Sequence, residues 1–254
     1  IRDIEPGELV IVDERGIRSR KAFEPQQQAK CIFEFIYFSR PDSKVFGENV
    51  DKVRRKLGVV LAQNHPVDAD IVISVPDSSN TSSLGFAQSS GIPFEIGLIR
   101  NHYVGRTFIQ PSQRLRDGTV RLKFNTVDGV LKGKRVVVVD DSIVRGSTMK
   151  KLVVMLRKAG AKEVHLRIAS PPVKFPCFYG IDMPSRSELI ASSMTEDGIR
   201  QYLGVESLEY LTIADLRSVV DDPDRFCNAC FSGDYPIPMA SDLNKSVFED
   251  SAVA

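Results

Sequence analysis

The stretch from Arg135 to Thr148 constrains the fold more than any other part of the chain. Val136-Val137-Val138-Val139 is apolar on every side chain, so a strand there must bury both of its faces. It runs into Asp140-Asp141, then a loop of small and hydroxyl residues with one glycine, Gly146. A helix follows, because Met149, Leu152, Val153 and Leu156 fall at i, i+3, i+4 and i+7. Gly160 stands at a C′ position, and Val164 to Ala169 reads as the next strand. Strand, helix and strand in that order need a crossover, which predicts an α/β fold: a mostly parallel, doubly wound sheet flanked by helices. The same alternation starts at Ile71, with a short strand to Val75, a break at Pro76-Asp77-Ser78-Ser79, a helix to Ser90 and another short strand near Phe94-Glu95-Ile96.

Around this unit the pattern is weaker. Glu8 to Val12 reads as a strand turning at Glu14-Arg15-Gly16, with a polar connector behind it. Ile32 to Phe38, aromatic and branched, reads as a strand broken by Pro41-Asp42-Ser43. Val50, Val53 and Leu57 predict a helix with Lys52, Arg54, Arg55 and Lys56 mostly on its wet face. Residues 100–125 carry Arg100, Arg106, Arg114, Arg116, Arg121 and Lys123 with little periodicity. Beyond residue 185 the chain reads as helical and acidic-polar, and from Ser241 as a frayed tail. The divisions predicted are therefore 1–30, 31–185, 186–240 and 241–254.

Composition narrows the function classes. The 254 residues suit one large or two small domains, and 42% hydrophobic content can fill a core. Thirty-four basic against 33 acidic residues leave a net charge of +1, with no surplus for gripping nucleic acid or anionic lipid. No apolar run approaches the roughly 20 residues needed to cross a bilayer. The start, Ile1 to Gly7, is charged and lacks both an initiator Met and the apolar core of a signal peptide. The expectation is a cytoplasmic chain that begins in the middle of a longer protein.

Two adjacent carboxylates at the carboxyl end of a strand stand where α/β sheets bind ligands. The loop behind them supplies backbone N–H groups, the Ser147 and Thr148 hydroxyls and a helix N-terminus, an anion cradle suited to a phosphate monoester. Ionised Asp accepts hydrogen bonds from hydroxyls, so the carboxylates suit a sugar diol and the whole suits ribose 5-phosphate. Spacing alone fits equally well a surface Asp-Asp that caps the helix. The four cysteines include a lone CxxC, Cys227 to Cys230, which reads as half a zinc site, a redox pair or two core thiols. His65, His102 and His165 are scattered without ligand spacing; His165 reads as a core or edge residue of a strand, and a place for His102 near the site through its loop is the lesser of its readings.

Residues 136–148 resemble the phosphoribosyl diphosphate (PRPP) motif of type I phosphoribosyltransferases, and Asp-Asp-Ser-Ile-Val-Arg-Gly resembles the form found in the glutamine phosphoribosylpyrophosphate amidotransferase family. Val75-Pro76-Asp77-Ser78-Ser79 is similar to that family's pyrophosphate loop, Asn101 to Ile109 to the start of its mobile active-site loop, and Tyr37 to Ser43 to the start of its transferase domain. The resemblance implies a type I phosphoribosyltransferase fold with a helical C-terminal segment. Asp140 and Asp141 would hold the ribose hydroxyls, Ser142, Ile143, Val144, Arg145, Gly146, Ser147 and Thr148 the 5-phosphate, and Asp77, Ser78 and Ser79 the pyrophosphate. Mg²⁺ would meet Ser78, Asp140 and Asp141, and Arg106 would act catalytically on the departing pyrophosphate. Cys31, Cys177, Cys227 and Cys230 fall where the iron–sulfur members place their ligands, which implies a structural [4Fe–4S] cluster; four thiolates would also satisfy zinc.

The activity implied is transfer of the phosphoribosyl group of PRPP to ammonia, drawn from glutamine in the full-length enzymes, as the first committed step of purine synthesis. Feedback inhibition by purine nucleotides and a homo-oligomer are implied with it. The family's glutaminase domain begins with a catalytic cysteine, whereas this chain begins with Ile1 and Cys31 comes too late; residues 1–30 resemble only the end of that domain. The expectation is a chain without the glutaminase site, using free ammonia. Two other readings compete: a phosphoribosyltransferase acting on a free base, and a PRPP-sensing regulator, which should carry a basic face or a helix-turn-helix arm.

Overall fold

The computed structural model describes residues 2–101 and 123–237. In chain order, β1 (Glu8–Asp13) and β2 (Gly16–Lys21) form an antiparallel hairpin. They are followed by α1 (Val50–Asn64), β3 (Ile71–Ser74), α2 (Asn80–Ser90), β4 (Arg135–Asp140), α3 (Ser147–Lys158), β5 (Glu163–Ile168), α4 (Glu196–Leu203) and β6 (Ser207–Tyr210). Strands β3 to β6 form one sheet in the order β6-β5-β4-β3, every neighbouring pair parallel. Among the described residues no helix is long and apolar enough to cross a membrane.

The pleat of β4 divides the core in two. Val136 and Val138 pack with Met149, Leu152 and Leu156 of α3 and with Ile199 and Leu203 of α4. Val137 and Val139 pack on the other face with Val50, Val53, Leu57 and Leu61 of α1 and Phe86 of α2. All four valines are fully buried, each worth about 1.5–3 kcal/mol relative to an exposed side chain. Helices α1 and α2 touch backbone to backbone because glycines face the contact. A Cβ at Gly58 would lie 1.9 Å from the Ser82 carbonyl oxygen, and one at Gly85 would lie 2.2 Å from that of Arg55.

Four local expectations need correction. Residues Glu34–Phe38 form one wide helical turn, closed by the Ser39 N–H donating to the Glu34 carbonyl at 3.2 Å, and not a strand. Its buried residues come as adjacent pairs, Ile32-Phe33 and Phe35-Ile36, which a helical turn can point at one core and a period-2 strand cannot. Near Phe94 only a single parallel bridge to Val72 forms, on the free edge of β3. The acidic-polar stretch after residue 185 contributes a strand, β6, to the main sheet as well as helices. Arg54, placed with its neighbours on the wet face of α1, is 2% exposed.

The register of β3 against β4 is pinned at its start. The Asp70 carboxylate accepts from the Arg135 N–H at 2.8 Å and from Arg135 Nη2 at 2.9 Å. These bonds hold Asp70 down at about 2, below the usual carboxylate value of about 3.9. A lowered carboxylate adds stability above its unfolded pKa and loses it as pH falls through its folded one. Asp70→Asn should therefore be less stable than the parent at pH 6, with the difference shrinking as pH falls from about 4 to about 2. Denaturation at several pH values tests this, and a difference constant across that window would refute it.

Candidate functional site

From β3 the chain passes through α2 to the Phe94 bridge on one side of the sheet order; from β4 it passes through α3 to β5 on the other. The winding direction thus reverses between β3 and β4, and α2 and α3 cover opposite faces. At such a reversal the loops leaving the strands part and open a crevice at their carboxyl ends. Here those loops are 75–79, which opens into α2, and 141–146, which opens into α3.

Side chains knit the two loops together. Ser79 Oγ donates to Asp140 Oδ1 at 2.8 Å, and the Asp141 N–H donates to the same oxygen at 2.9 Å. The Ser78 hydroxyl donates to Asp141 Oδ2, and Ser142 Oγ donates to Asp141 Oδ1 at 2.6 Å. Asp141 is buried, while Asp140 keeps partial access to solvent. Burial pushes both carboxyls above their usual range. Asp140 rises furthest, with the Asp141 charge adding to the effect; the Ser142 and Ser78 hydroxyls and the Arg54 guanidinium pull Asp141 back. Sugar hydroxyls or a divalent cation are partners that suit such a crowded pair of oxygen donors. Asp77 stands at the rim, its Oδ2 accepting from Arg100 Nη1 at 2.9 Å.

Beyond the carboxylates, the loop is bolted to the core. Ile143 is buried against the α3 face and Val144 packs into the opposite cluster, so only their backbone can meet a ligand. Gly146 takes φ +73°, and a Cβ there would lie 2.6 Å from Ile190 Cδ1. Ser147 and Thr148 open the 12-residue α3, whose N-terminus presents free N–H groups and a positive dipole end to an anion. Arg145 points outward and pairs with Glu188 at 2.9 Å. The expected residues Asp77, Ser78, Ser79 and 140–148 are therefore brought to one crevice; Arg106 and His102 lie outside the described residues. His165 is buried, between Ser207 Oγ at 2.9 Å and Glu163 at 3.2 Å. Arg54 is the residue the sequence reading missed. Its spacing of four from Val50 and three from Leu57 puts it inside the apolar stripe, a signal overridden by its charge.

The four cysteines come from three segments that meet. Lys30–Cys31 and Phe226–Cys227 pair as a short parallel ladder in which Cys31 faces Cys227. The Cys230 carbonyl accepts from the N–H groups of Lys174 and Phe175, both at 3.0 Å, which brings the Cys177 loop alongside. Burial pushes Cys31 up to about 11, with Glu34, Cys177 and Cys227 adding. Burial also raises Cys230, and Cys31, Cys227 and Cys177 add to it. Among the described residues no three His, Cys, Asp or Glu side chains are placed to hold a single metal ion.

Residues 87–169, the span that holds β4, the carboxylates and the 141–146 loop, match the family model of the phosphoribosyl transferase domain. A solved glutamine PRPP amidotransferase from B. subtilis, complexed with ADP and GMP, superposes with a TM-score of 0.85 at 49% identity, covering 96% of this chain and 55% of that one. A structure of the allosteric regulatory enzyme of purine biosynthesis superposes with a TM-score of 0.84 at 50% identity, over 95% of this chain and 53% of that one. The fold is that of a type I phosphoribosyltransferase. By sequence the chain is similar to the chloroplast amidophosphoribosyltransferase of Vigna aconitifolia, 53% identical over 93% of this chain and 49% of the relative. The Bacillus subtilis amidophosphoribosyltransferase is 50% identical over 95% of this chain and 52% of its own length. The chain thus spans about half the length of the relatives it matches.

Charge crowding in this crevice has a measurable consequence. Asp140→Asn removes one of the two crowded carboxylates yet keeps an acceptor oxygen for Ser79 and for the Asp141 N–H. The melting temperature of the ligand-free protein at neutral pH should rise by about 2–4 °C, or about 1 kcal/mol. A calorimetric scan showing no rise would mean the pair is not crowded.

Proposed function

We propose that this chain carries out the phosphoribosyl-transfer half of an amidophosphoribosyltransferase. It would take PRPP and ammonia to 5-phosphoribosylamine and pyrophosphate, with glutamine as the ammonia source in the whole enzyme, at the entry to purine synthesis. The observation that carries the reading is the carboxylate pair at the switch point, beside a helix N-terminus, on a chain about half identical to those enzymes over nearly all of its residues. Asp140 and Asp141 would accept hydrogen bonds from the two ribose hydroxyls. The backbone of 142–148 with the Ser147 and Thr148 hydroxyls would seat the 5-phosphate, and Asp77, Ser78 and Ser79 would lie against the pyrophosphate. The ammonia lone pair forms the C1–N bond as the C1–O bond to pyrophosphate breaks, and the surplus proton passes to water. Charge grows on the leaving oxygens, so a cation there lowers the barrier most; Arg106 is assigned that role.

Ser78, Asp140 and Asp141 would hold Mg²⁺, an oxygen-only donor set of the kind that ion takes together with substrate phosphates. Bound there, it supplies positive charge against the leaving pyrophosphate. Purine nucleotides carry the same 5-phosphate as PRPP and would compete for the 142–148 cradle, in keeping with the ADP and GMP in the B. subtilis complex. Cys31, Cys177, Cys227 and Cys230 would hold a [4Fe–4S] cluster tying the start of the domain to its C-terminal segment. Sulfurs around one zinc lie about 3.8 Å apart, given Zn–S bonds of about 2.3 Å. Four thiolates are the count that either a [4Fe–4S] cluster or a zinc site takes, and analysis for iron and sulfide separates the two.

Two tests follow from this assignment. Pyrophosphate release from PRPP with Mg²⁺, on anaerobically purified protein, should be driven by ammonium chloride and fall by about 10²–10³ in Arg106→Ala. Absence of release from folded protein with an intact cluster would overturn the assignment. Iron and sulfide analysis should give about four of each per chain, and Cys230→Ser should lose them; stoichiometric zinc without sulfide would replace the cluster with a zinc site.

A further inference from the structure

We propose that Arg54 is a positioning residue of the transfer site, fastening the pyrophosphate loop to the turn at Glu34–Phe38 and matching the charge of Asp141; this rests on the function proposed above. Arg54 stands on α1 in the middle of its buried stripe and is 2% exposed. Its guanidinium reaches three backbone carbonyls on two separate segments. Nε donates to the Phe35 carbonyl and Nη2 to that of Ser39, both at 2.7 Å, while Nη1 lies 3.5 Å from the Ser78 carbonyl. A planar fork of donors can hold several acceptors at fixed angles, which an ammonium on a flexible stem cannot.

A cation so buried requires countercharge. Among the described residues no carboxylate forms an ion pair with Arg54; its attractions are to Asp141, Asp51 and Glu34, in that order. The first is the site carboxylate whose Oδ2 accepts from the Ser78 hydroxyl. Ser78 is thus held at both ends, its carbonyl by Arg54 and its hydroxyl by Asp141. An isosteric apolar side chain would fill the same space without burying a charge, so packing alone does not account for a guanidinium here. Releasing the Ser78 carbonyl lets that peptide turn, and the N–H groups that face the pyrophosphate turn with it. The 5-phosphate cradle has different anchors, Ile143 and Val144 packed on the two cores, and Arg54 reaches it only indirectly, through Asp141 and Ser142.

The test compares two probes on the intact chain, magnesium pyrophosphate and ribose 5-phosphate, by calorimetric titration of the parent, Arg54→Met and Arg54→Lys. The expected result is that Arg54→Met weakens magnesium pyrophosphate at least about tenfold, the scale of a lost charged hydrogen bond, and ribose 5-phosphate less than about threefold. Arg54→Lys should fall between, and KM for PRPP should rise in the same order. Equal loss for both probes would mean general loosening, and no loss for either would mean a bystander; both overturn the proposal. If circular dichroism shows Arg54→Met unfolded, Arg54→Lys carries the same comparison, and unchanged pyrophosphate affinity in it refutes the positioning role. Failure of the parent itself to bind either probe would instead overturn the proposed function.

Discussion

Burial of both faces of β4 is the constraint on which the rest depends. Four consecutive valines with no access to water require a layer of helices on each side, and parallel neighbours on each edge follow from the crossovers that supply those helices. Two carboxylates cannot follow the valines into that core without polar partners. The strand has to end where Asp140 begins to reach solvent, and the chain has to turn at once into α3. The place of the candidate site is thus a consequence of where the apolar run stops. Its width comes from the winding reversal between β3 and β4, which sends α2 and α3 to opposite faces and leaves the crevice between their N-termini.

The same arrangement sets a tension between stability and binding. Packing Asp140 against Asp141, with serine hydroxyls as their main partners, raises both carboxyls, Asp140 by burial and the Asp141 charge and Asp141 by burial. Solvent cannot relieve this, since Asp141 is closed off by the very loops it knits. A ligand with hydroxyls and an associated cation relieves it directly, so the crowding itself favours binding. Local crowding of this kind is a common signature of sites shaped for a ligand.

Legibility in the sequence followed the strength of periodicity. The β4–α3–β5 unit could be placed to within a residue, because an unbroken apolar run and an i, i+3, i+4, i+7 stripe leave little choice. The turn at Glu34–Phe38 was misread because aromatic and branched residues favour strands in general, while its paired burial depends on a core formed by α1 and by Phe226, distant in sequence. Strand β6 was missed because four residues, Ser207-Leu208-Glu209-Tyr210, alternate too briefly to stand out from helical surroundings. The carboxylates could be picked out from the end of the apolar run and Ser78 and Ser79 from the family resemblance, yet their order of contacts could not, since Ser78 and Ser79 lie about sixty residues from the aspartates they hold. Convergence of Cys31 with Cys227 likewise depends on a two-residue ladder between chain segments far apart.

The two loops of the crevice are anchored by different physics, and this bears on how each can respond to a ligand. The 141–146 loop is held by Ile143 and Val144, whose burial is non-directional and tolerates small shifts only at the cost of packing; it behaves as a rigid seat. The 75–79 loop is held by directional bonds, from Arg54 below and to the carboxylates beside it. Hydrogen bonds of that kind can exchange partners without opening a cavity. A rigid seat suits the phosphate that stays on the product throughout the proposed reaction. A loop held by exchangeable bonds suits the group that must be gripped while its charge grows and then released. The pair of Arg100 with Asp77 at the rim is a further bond of the exchangeable kind, and it extends this polar anchoring to the short strand Leu98–Arg100.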